Sequence, residues 1–231
     1  KNDNDKLEMI PLDDIMHDYP KLYKYLFAHE DILNAASRDI KPVPTTVNEW
    51  HRYGRHQSLD ACNLPKKLIV GVLSAGDKYA VDSCSTFVSS GGTAGYCMIA
   101  LPEDSPYSIY YLQAILNCKY LEWISSLYGE IFGGGFIARG TKVLKQLPIR
   151  KIDFENNDER LAHDSISDLQ KQLIQMGDEI DAAHGNKRKL TILQRQFELS
   201  KQQLADFIMH LYGMEQYDSI IPIIKEQYAA D

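Results

Sequence analysis

Two long helical patterns separated by a short turn constrain the fold of this chain more than any other feature of its sequence. Apolar residues recur at helical spacing through residues 158–183 and again through residues 187–212. Each pattern is about 25 residues long, or about 38 Å as a helix. Between them, residues 184–186 read His-Gly-Asn, which predicts a turn. We therefore expect an antiparallel helical hairpin.

The region before the hairpin has the pattern of a small sheet with one helix. Residues 67–73 form an apolar, β-branched run that predicts a buried strand, and residues 79–82 and 96–101 predict two shorter strands. Residues 108–128 predict one amphipathic helix. Residues 147–149, Leu-Pro-Ile, predict an edge strand or a strand exit. Together these elements predict an α+β fold with a mixed or antiparallel sheet.

The two ends of the chain carry less information. Residues 1–18 are a polar lead-in without an initiator Met, so we expect a fragment of a longer protein. A helix is predicted to begin at Pro20, and Pro42 and Pro44 prevent a helix from continuing through that region. A short helix is predicted at residues 219–228. The sequence has no apolar run of about 18 residues, so it predicts no membrane span.

Charge is distributed unevenly along the chain. The net charge is −7, but residues 41–151 hold 12 Lys and Arg against 8 Asp and Glu, a local charge of +4. Residues 1–40 and 152–231 carry −4 and −7. If a polyanion such as DNA binds, the basic middle region is where we expect it.

The basic middle region contains a glycine run followed by cations. Residues 133–135 are three glycines, and Arg139, Thr141 and Lys142 follow within seven residues. Glycines permit sharp bends and close backbone approach, while cations and hydroxyls can contact phosphates and base edges. A solvated hairpin loop is the alternative interpretation, and a second alternative is that Arg139 pairs with a carboxylate rather than with a base.

A second cluster combines cations with aromatic and amide side chains. Arg52, Arg55 and Gln57 lie in the run WHRYGRHQ, and glutamine can bind adenine through two hydrogen bonds. Lys66 and Lys67 follow, and we predict them as phosphate contacts of lower rank. A solvated loop is again the alternative.

No set of residues predicts catalysis. The chain has no GxSxG, HExxH or phosphate-binding loop motif, and its glycine cluster at residues 91–95 lacks a following Lys-Ser/Thr. The four cysteines are scattered, without zinc-ligand spacing, as in a cytoplasmic protein with reduced thiols. We therefore expect no catalytic activity, cofactor or metal in this chain.

The order of the short motifs along the chain resembles a known family. The series is WHRYGR at 50–55, PKKLIV at 65–70, YAVD at 79–82, GGTAGY at 91–96, YYLQAILNCK at 110–119, GGGFIARGTK at 133–142, LPIRKIDF at 147–154 and LYG at 211–213. It resembles the C-terminal target-recognition domain and helical spacer of type IIG restriction–modification enzymes. Those enzymes join a nuclease, an N6-adenine methyltransferase and a DNA-recognition domain in one chain.

The resemblance implies a DNA-reading module that directs methylation or cleavage by catalytic domains lying elsewhere. It implies a lead-in at 1–18, a DNA target-recognition domain at 19–152, a helical spacer at 153–213 and a tail at 214–231. Double-stranded DNA and the methyltransferase and nuclease domains are the implied partners, and S-adenosylmethionine and Mg²⁺ are the implied cofactors of the parent. The Asn/Asp-Pro-Pro-Tyr/Phe motif of the methyltransferases is absent, so methylation is not transferred to this chain.

Two alternatives stay open at this point. The chain also resembles one half of a type I specificity subunit, in which a recognition domain precedes a spacer helix. From another class, the hairpin is compatible with a protein-interaction or oligomerisation module, for which Leu204 and Phe207 are the predicted interface residues.

Overall fold

The computed structural model describes residues 8–34, 50–51, 64–73, 79–84, 86, 88, 95–132, 136–183 and 185–222. Within these residues it contains eight α-helices, three β-strands and one 3-10 turn, so the predicted α+β fold is confirmed. The chain divides into two compact units, residues 1–63 and residues 64–231. The domain boundaries expected after residues 18, 152 and 213 stay predictions. No described helix is both long and apolar enough to cross a membrane.

The described part of the first unit consists of three short helices. They are α1 (Leu12–Asp18), α2 (Pro20–Phe27) and α3 (Glu30–Leu33). Proline occupies the first helical position of α2, which confirms the predicted helix start. The predicted stop at Pro42 and Pro44 lies outside the described residues.

The sheet of the second unit has three antiparallel strands. They are β1 (Lys67–Gly71), β2 (Tyr79–Val81) and β3 (Tyr96–Ala100), in the order β2-β1-β3. Leu68 pairs with Val81 on one side and with Ile99 on the other. Leu68 and Val70 are fully buried because β1 is the central strand.

The single helix predicted at 108–128 is wrong, because the structure contains two helices. These are α4 (Ile109–Leu116) and α5 (Lys119–Tyr128). Cys118 between them has an extended backbone (φ −71°, ψ 153°). The side-chain amide of Asn117 donates to the carbonyl of Tyr79 across 3.3 Å, which ties the break to the sheet. Apolar periodicity alone did not reveal the break because both helices bury an apolar face.

The strand predicted at residues 147–149 is also wrong. Ile149 N donates to Leu147 O in a tight turn after α6 (Thr141–Leu144). Tyrosine hydroxyls hold the following residues in place of a strand partner. Tyr111 donates to the carbonyl of Arg150 at 2.9 Å, and Tyr107 accepts from the amide of Ile152 at 3.0 Å.

The predicted hairpin is confirmed, as α7 (Asn157–Ala182) and α8 (Lys187–Tyr212). The side chain of Asn156 caps α7 by accepting from two backbone amides. Gly185 in the turn (φ 99°) and Gly213 after α8 (φ 62°) both adopt left-handed backbone conformations that favour glycine. In the tail, a 3-10 turn at Asp218–Ile220 is present, and residues 223–228 of the predicted tail helix lie outside the described residues.

One hydrophobic core joins the sheet, α4 and the hairpin. α4 packs on the sheet, α7 packs on α4, and α8 packs on α7. Gln113 of α4 links the layers, because its amide donates to the carbonyl of Tyr79 at 2.9 Å and its oxygen accepts from Gln170 of α7 at 3.0 Å. The hairpin thus belongs to the same compact unit as the sheet.

Candidate nucleic-acid interface

Three segments meet at one end of the sheet, where β1 finishes. The carbonyl of Val72 accepts from the amide of Arg139 at 2.7 Å, and the amide of Val72 donates to the carbonyl of Gly95 at 3.1 Å. The end of β1, the start of β3 and the segment leading into α6 are therefore neighbours. We call the group formed by Val72, Gly95, Tyr96 and residues 136–142 the Val72 edge.

The segment leading into the Val72 edge is a tight β-hairpin. Ile131 and Ile137 form an isolated antiparallel bridge. Phe132 N donates to Phe136 O at 2.8 Å, and Ala138 N donates to Glu130 O at 2.9 Å. The glycines at 133–135 that connect the two arms lie outside the described residues. The two arms have the hairpin pairing that the sequence offered as one interpretation.

Gly129 allows this β-hairpin to pack directly against the end of α5. A Cβ atom at this position would lie 2.5 Å from Cγ2 of Ile137, 2.7 Å from the carbonyl of Ala138 and 2.9 Å from the carbonyl of Ser125. Two of these three atoms are backbone atoms, which cannot rotate away. Only glycine fits here without displacing the β-hairpin.

Arg139 lies inside the protein, contrary to its prediction as a DNA contact. Its exposed fraction is 0%. Nη1 donates to the carbonyl of Ile137 at 2.7 Å, and Nη2 pairs with the carboxylate of Glu122 on α5. A buried, paired guanidinium is costly to extract, so we remove Arg139 from the set of direct contacts.

Lys67 is the second predicted contact that is buried. Its ammonium lies 2.9 Å from the carboxylate of Asp82, and the lysine side chain is fully buried. Burial alone would raise the pKa of the Asp82 carboxyl, but hydrogen bonds from Lys67, from Thr86 and from the amide of Cys84 outweigh it and hold that pKa well below its usual range. Lys67 therefore has a structural role at the start of β1, and we also remove it from the direct contacts.

The remaining predicted residues that the structure describes lie in two places. Thr141 and Lys142 are exposed on α6 at the Val72 edge, and Lys142 has no ion pair within the described residues. Lys66 is half-buried and donates to the carbonyls of Glu103 and Ser105, each at 3.3 Å. It lies six residues from Val72 along β1, or about 20 Å. Arg52, Arg55 and Gln57 lie outside the described residues.

Two residues near the Val72 edge were not predicted as site residues. Tyr96, the first residue of β3, pairs with Gly71 and is 57% exposed. Its position directly after the glycine cluster was the available signal. Glu122 was missed because it lies within an apolar helical pattern; as one of only two charged residues between positions 109 and 128, it could have been noticed.

Comparison with known proteins supports the resemblance inferred from the motif order. The chain is 45% identical over 228 residues to the type II restriction enzyme and methyltransferase RM.Eco57I of Escherichia coli, covering 99% of this chain and 23% of that protein. No protein-family model matches the chain, and no solved structure gives a significant match. The chain spans about a quarter of the length of this relative. The predicted resemblance to a restriction–modification enzyme that combines restriction and methylation is therefore confirmed.

Proposed function

We propose that this chain recognises DNA sequence for a restriction–modification enzyme whose catalytic domains lie outside it. The observation that carries the proposal is the similarity to RM.Eco57I, which extends over 99% of the chain. Restriction and modification at a site both require a part that selects the DNA sequence. This chain shows no catalytic motif, and its middle region is basic.

The Val72 edge supports this proposal by its chemistry. It presents the ammonium of Lys142, the hydroxyl of Thr141 and the ring of Tyr96 to solvent. Ammonium and hydroxyl groups bind phosphates and base edges, and an exposed aromatic ring can contact a base or sugar. We propose that these three side chains contact double-stranded DNA, with Lys66 as a more distant phosphate contact.

Catalysis and cofactors are proposed for the parent protein and not for this chain. By the resemblance, the parent would use S-adenosylmethionine and Mg²⁺ in the cytoplasm. Within the described residues no group of three or more His, Cys, Asp or Glu is arranged to hold a metal ion. A type I specificity subunit is the alternative parent, and the reading frame upstream of Lys1 distinguishes the two.

The test is DNA binding by fluorescence anisotropy across a salt series. We expect the chain to bind duplex DNA with an affinity that falls as salt rises, because phosphate contacts release counterions. Replacing Lys142 with alanine should weaken binding and make the slope of log affinity against log salt shallower by about one. Replacing Tyr96 with alanine should weaken binding with a smaller change in slope.

Matched controls are available on elements of the second unit that do not belong to the Val72 edge. Lys189 is an exposed lysine without an ion pair within the described residues, and Tyr217 is 52% exposed. Their alanine variants should bind DNA as the unaltered chain does. Equal losses for Lys142→Ala and Lys189→Ala would contradict the Val72 edge as the contact surface. No measurable binding at low salt would contradict the proposed function itself.

A second candidate function, self-association through α8, is favoured by one observation. Ile192 and Leu199 on α8 lie one heptad apart and are 51% and 64% exposed. Arg188 and Arg195 are also exposed, and each lies four residues before one of these apolar residues. This outer stripe differs from the interface predicted from the sequence. Leu204 is buried in the chain's own core, and Phe207 is partly buried against it.

A further inference from the structure

We propose that Arg139 and Glu122 are positioning residues that set the sequence discrimination of DNA binding without touching DNA. This inference rests on the proposed function. It assigns a role to a buried charged pair that ties the β-hairpin of the Val72 edge to α5. The pair holds the backbone that delivers Thr141 and Lys142.

Arg139 connects three elements through its own atoms. Its amide donates to Val72 at the end of β1, its Nη1 donates to the carbonyl of Ile137 in the β-hairpin, and its Nη2 binds Glu122 on α5. The planar guanidinium can make the last two bonds at once because its donors point in fixed directions. Lysine carries its three donors on one nitrogen at the end of a shorter side chain, so it cannot reproduce this planar fork.

The position of Glu122 is itself well determined. It is 8% exposed, on the face of α5 that also buries Ser125. The hydroxyl of Ser125 donates to the carbonyl of Leu121 at 2.8 Å, so this buried hydroxyl has its hydrogen-bond partner within α5. Burial, and then the negative charge of Glu122, raise the pKa of the Tyr79 hydroxyl, which therefore stays neutral beside the pair.

Steric contact and the ion pair act on the same few residues. At Gly129 the end of α5 packs so closely against residues 137 and 138 that no side chain would fit between them. α6 begins two residues after Arg139, and the amides of Val143 and Leu144 both donate to the carbonyl of Gly140. A displacement of Arg139 should therefore also displace Thr141 and Lys142.

Displacement of these residues should affect base reading more than general affinity. A hydrogen bond to a base edge requires correct distance and direction, whereas a flexible lysine can follow a phosphate that has moved. Loosening the Arg139–Glu122 pair should consequently leave the salt dependence of binding nearly unchanged. It should reduce the preference for the recognised sequence.

The experiment uses the whole chain and a random-sequence duplex library, from which the preferred sequence is first enriched on the unaltered protein. The affinity ratio between that sequence and an unrelated duplex is then measured for Arg139→Lys and Glu122→Gln. We expect each ratio to fall roughly tenfold, the factor that corresponds to about 1.4 kcal/mol of lost base contact. The salt slope should stay within the error of the unaltered chain.

The pair of Lys67 and Asp82 provides the control, because it is a second buried ion pair in the same unit, near the opposite end of β1. Asp82→Asn should lower stability while preserving the affinity ratio. If Asp82→Asn reduces the ratio as much as Glu122→Gln does at equal folded fraction, the effect is only structural and the proposal fails. An unchanged ratio in both Arg139→Lys and Glu122→Gln also overturns it.

Hydrogen exchange provides a readout that does not depend on DNA. The amides of Arg139, Val143 and Leu144 should exchange faster in Glu122→Gln than in the unaltered chain, and should be unaffected in Asp82→Asn. If no sequence is enriched, the proposed function fails, while the positioning role is decided by this measurement alone. Unchanged exchange in Glu122→Gln would refute the positioning role whatever the DNA result.

Discussion

At the scale of single residues, burial separates cations that can meet a ligand from cations that hold the fold. Lys67 and Arg139 are each fully buried beside a carboxylate, whereas Lys142 is exposed. Desolvating a charge is expensive, so a buried cation whose partner is removed destabilises the protein strongly. All three side chains are cationic, and the surroundings decide the role.

The pH dependence of stability should show the contribution of Asp82. The pKa of its carboxyl is lowered in the folded protein, so its ionised form stabilises the fold above the unfolded pKa of about 4, and this contribution is lost as pH falls toward the folded pKa. We expect Asp82→Asn to lower the free energy of unfolding by about 3 kcal/mol at pH 7. Urea denaturation between pH 7 and pH 3 should show this difference shrinking; a difference independent of pH would contradict the assignment.

At the scale of elements, the ends of the helices follow local sequence signals. Asn156 caps α7, Ser108 caps α4 by accepting from the amide of Tyr110, and Gly213 ends α8. The interior of α7 contains one exception, Gly177. A Cβ atom at this position would meet nothing within 4 Å, so packing does not require glycine there.

Replacing Gly177 with alanine should stabilise the hairpin. Alanine loses less backbone entropy than glycine on forming a helix, which is worth about 0.5–1 kcal/mol. Thermal and urea denaturation followed by circular dichroism measure the gain. Gly129→Ala is the matched control and should destabilise, because its Cβ would lie 2.5 Å from Ile137. Destabilisation by Gly177→Ala would show that this site has a packing constraint.

At the scale of the whole molecule, the second unit is layered from the sheet outward to α8. Because α8 packs only on α7 among the major element contacts, most of its circumference faces solvent. Its first half carries Lys187, Arg188, Lys189 and Arg195 with one acid, Glu198, and its second half carries Lys201 and Asp206. Two copies of α8 laid antiparallel about a point between residues 195 and 196 would place Ile192 of each copy opposite Leu199 of the other.

The self-association candidate therefore makes a prediction different from the one based on Leu204 and Phe207. Leu199→Glu should dissociate a dimer without unfolding the chain, since Leu199 is 64% exposed. Added salt should leave the dimer intact, because the contact would be made by apolar side chains and not by ion pairs. Sedimentation equilibrium measures both effects, with Leu161→Glu on α7 (60% exposed) as the control. A monomer at all concentrations would eliminate this candidate.

The sequence by itself determined the elements whose signals are local. The hairpin, its glycine turn, the three strands and the start of α2 were all predictable, because period, capping and turn chemistry depend on neighbouring residues. The family resemblance was also readable, from the order of the motifs. Tertiary structure alone decided the break at Asn117 and Cys118 and the burial of Lys67 and Arg139. These depend on residues distant in sequence, namely Tyr79, Asp82 and Glu122, whose proximity only the folded chain creates.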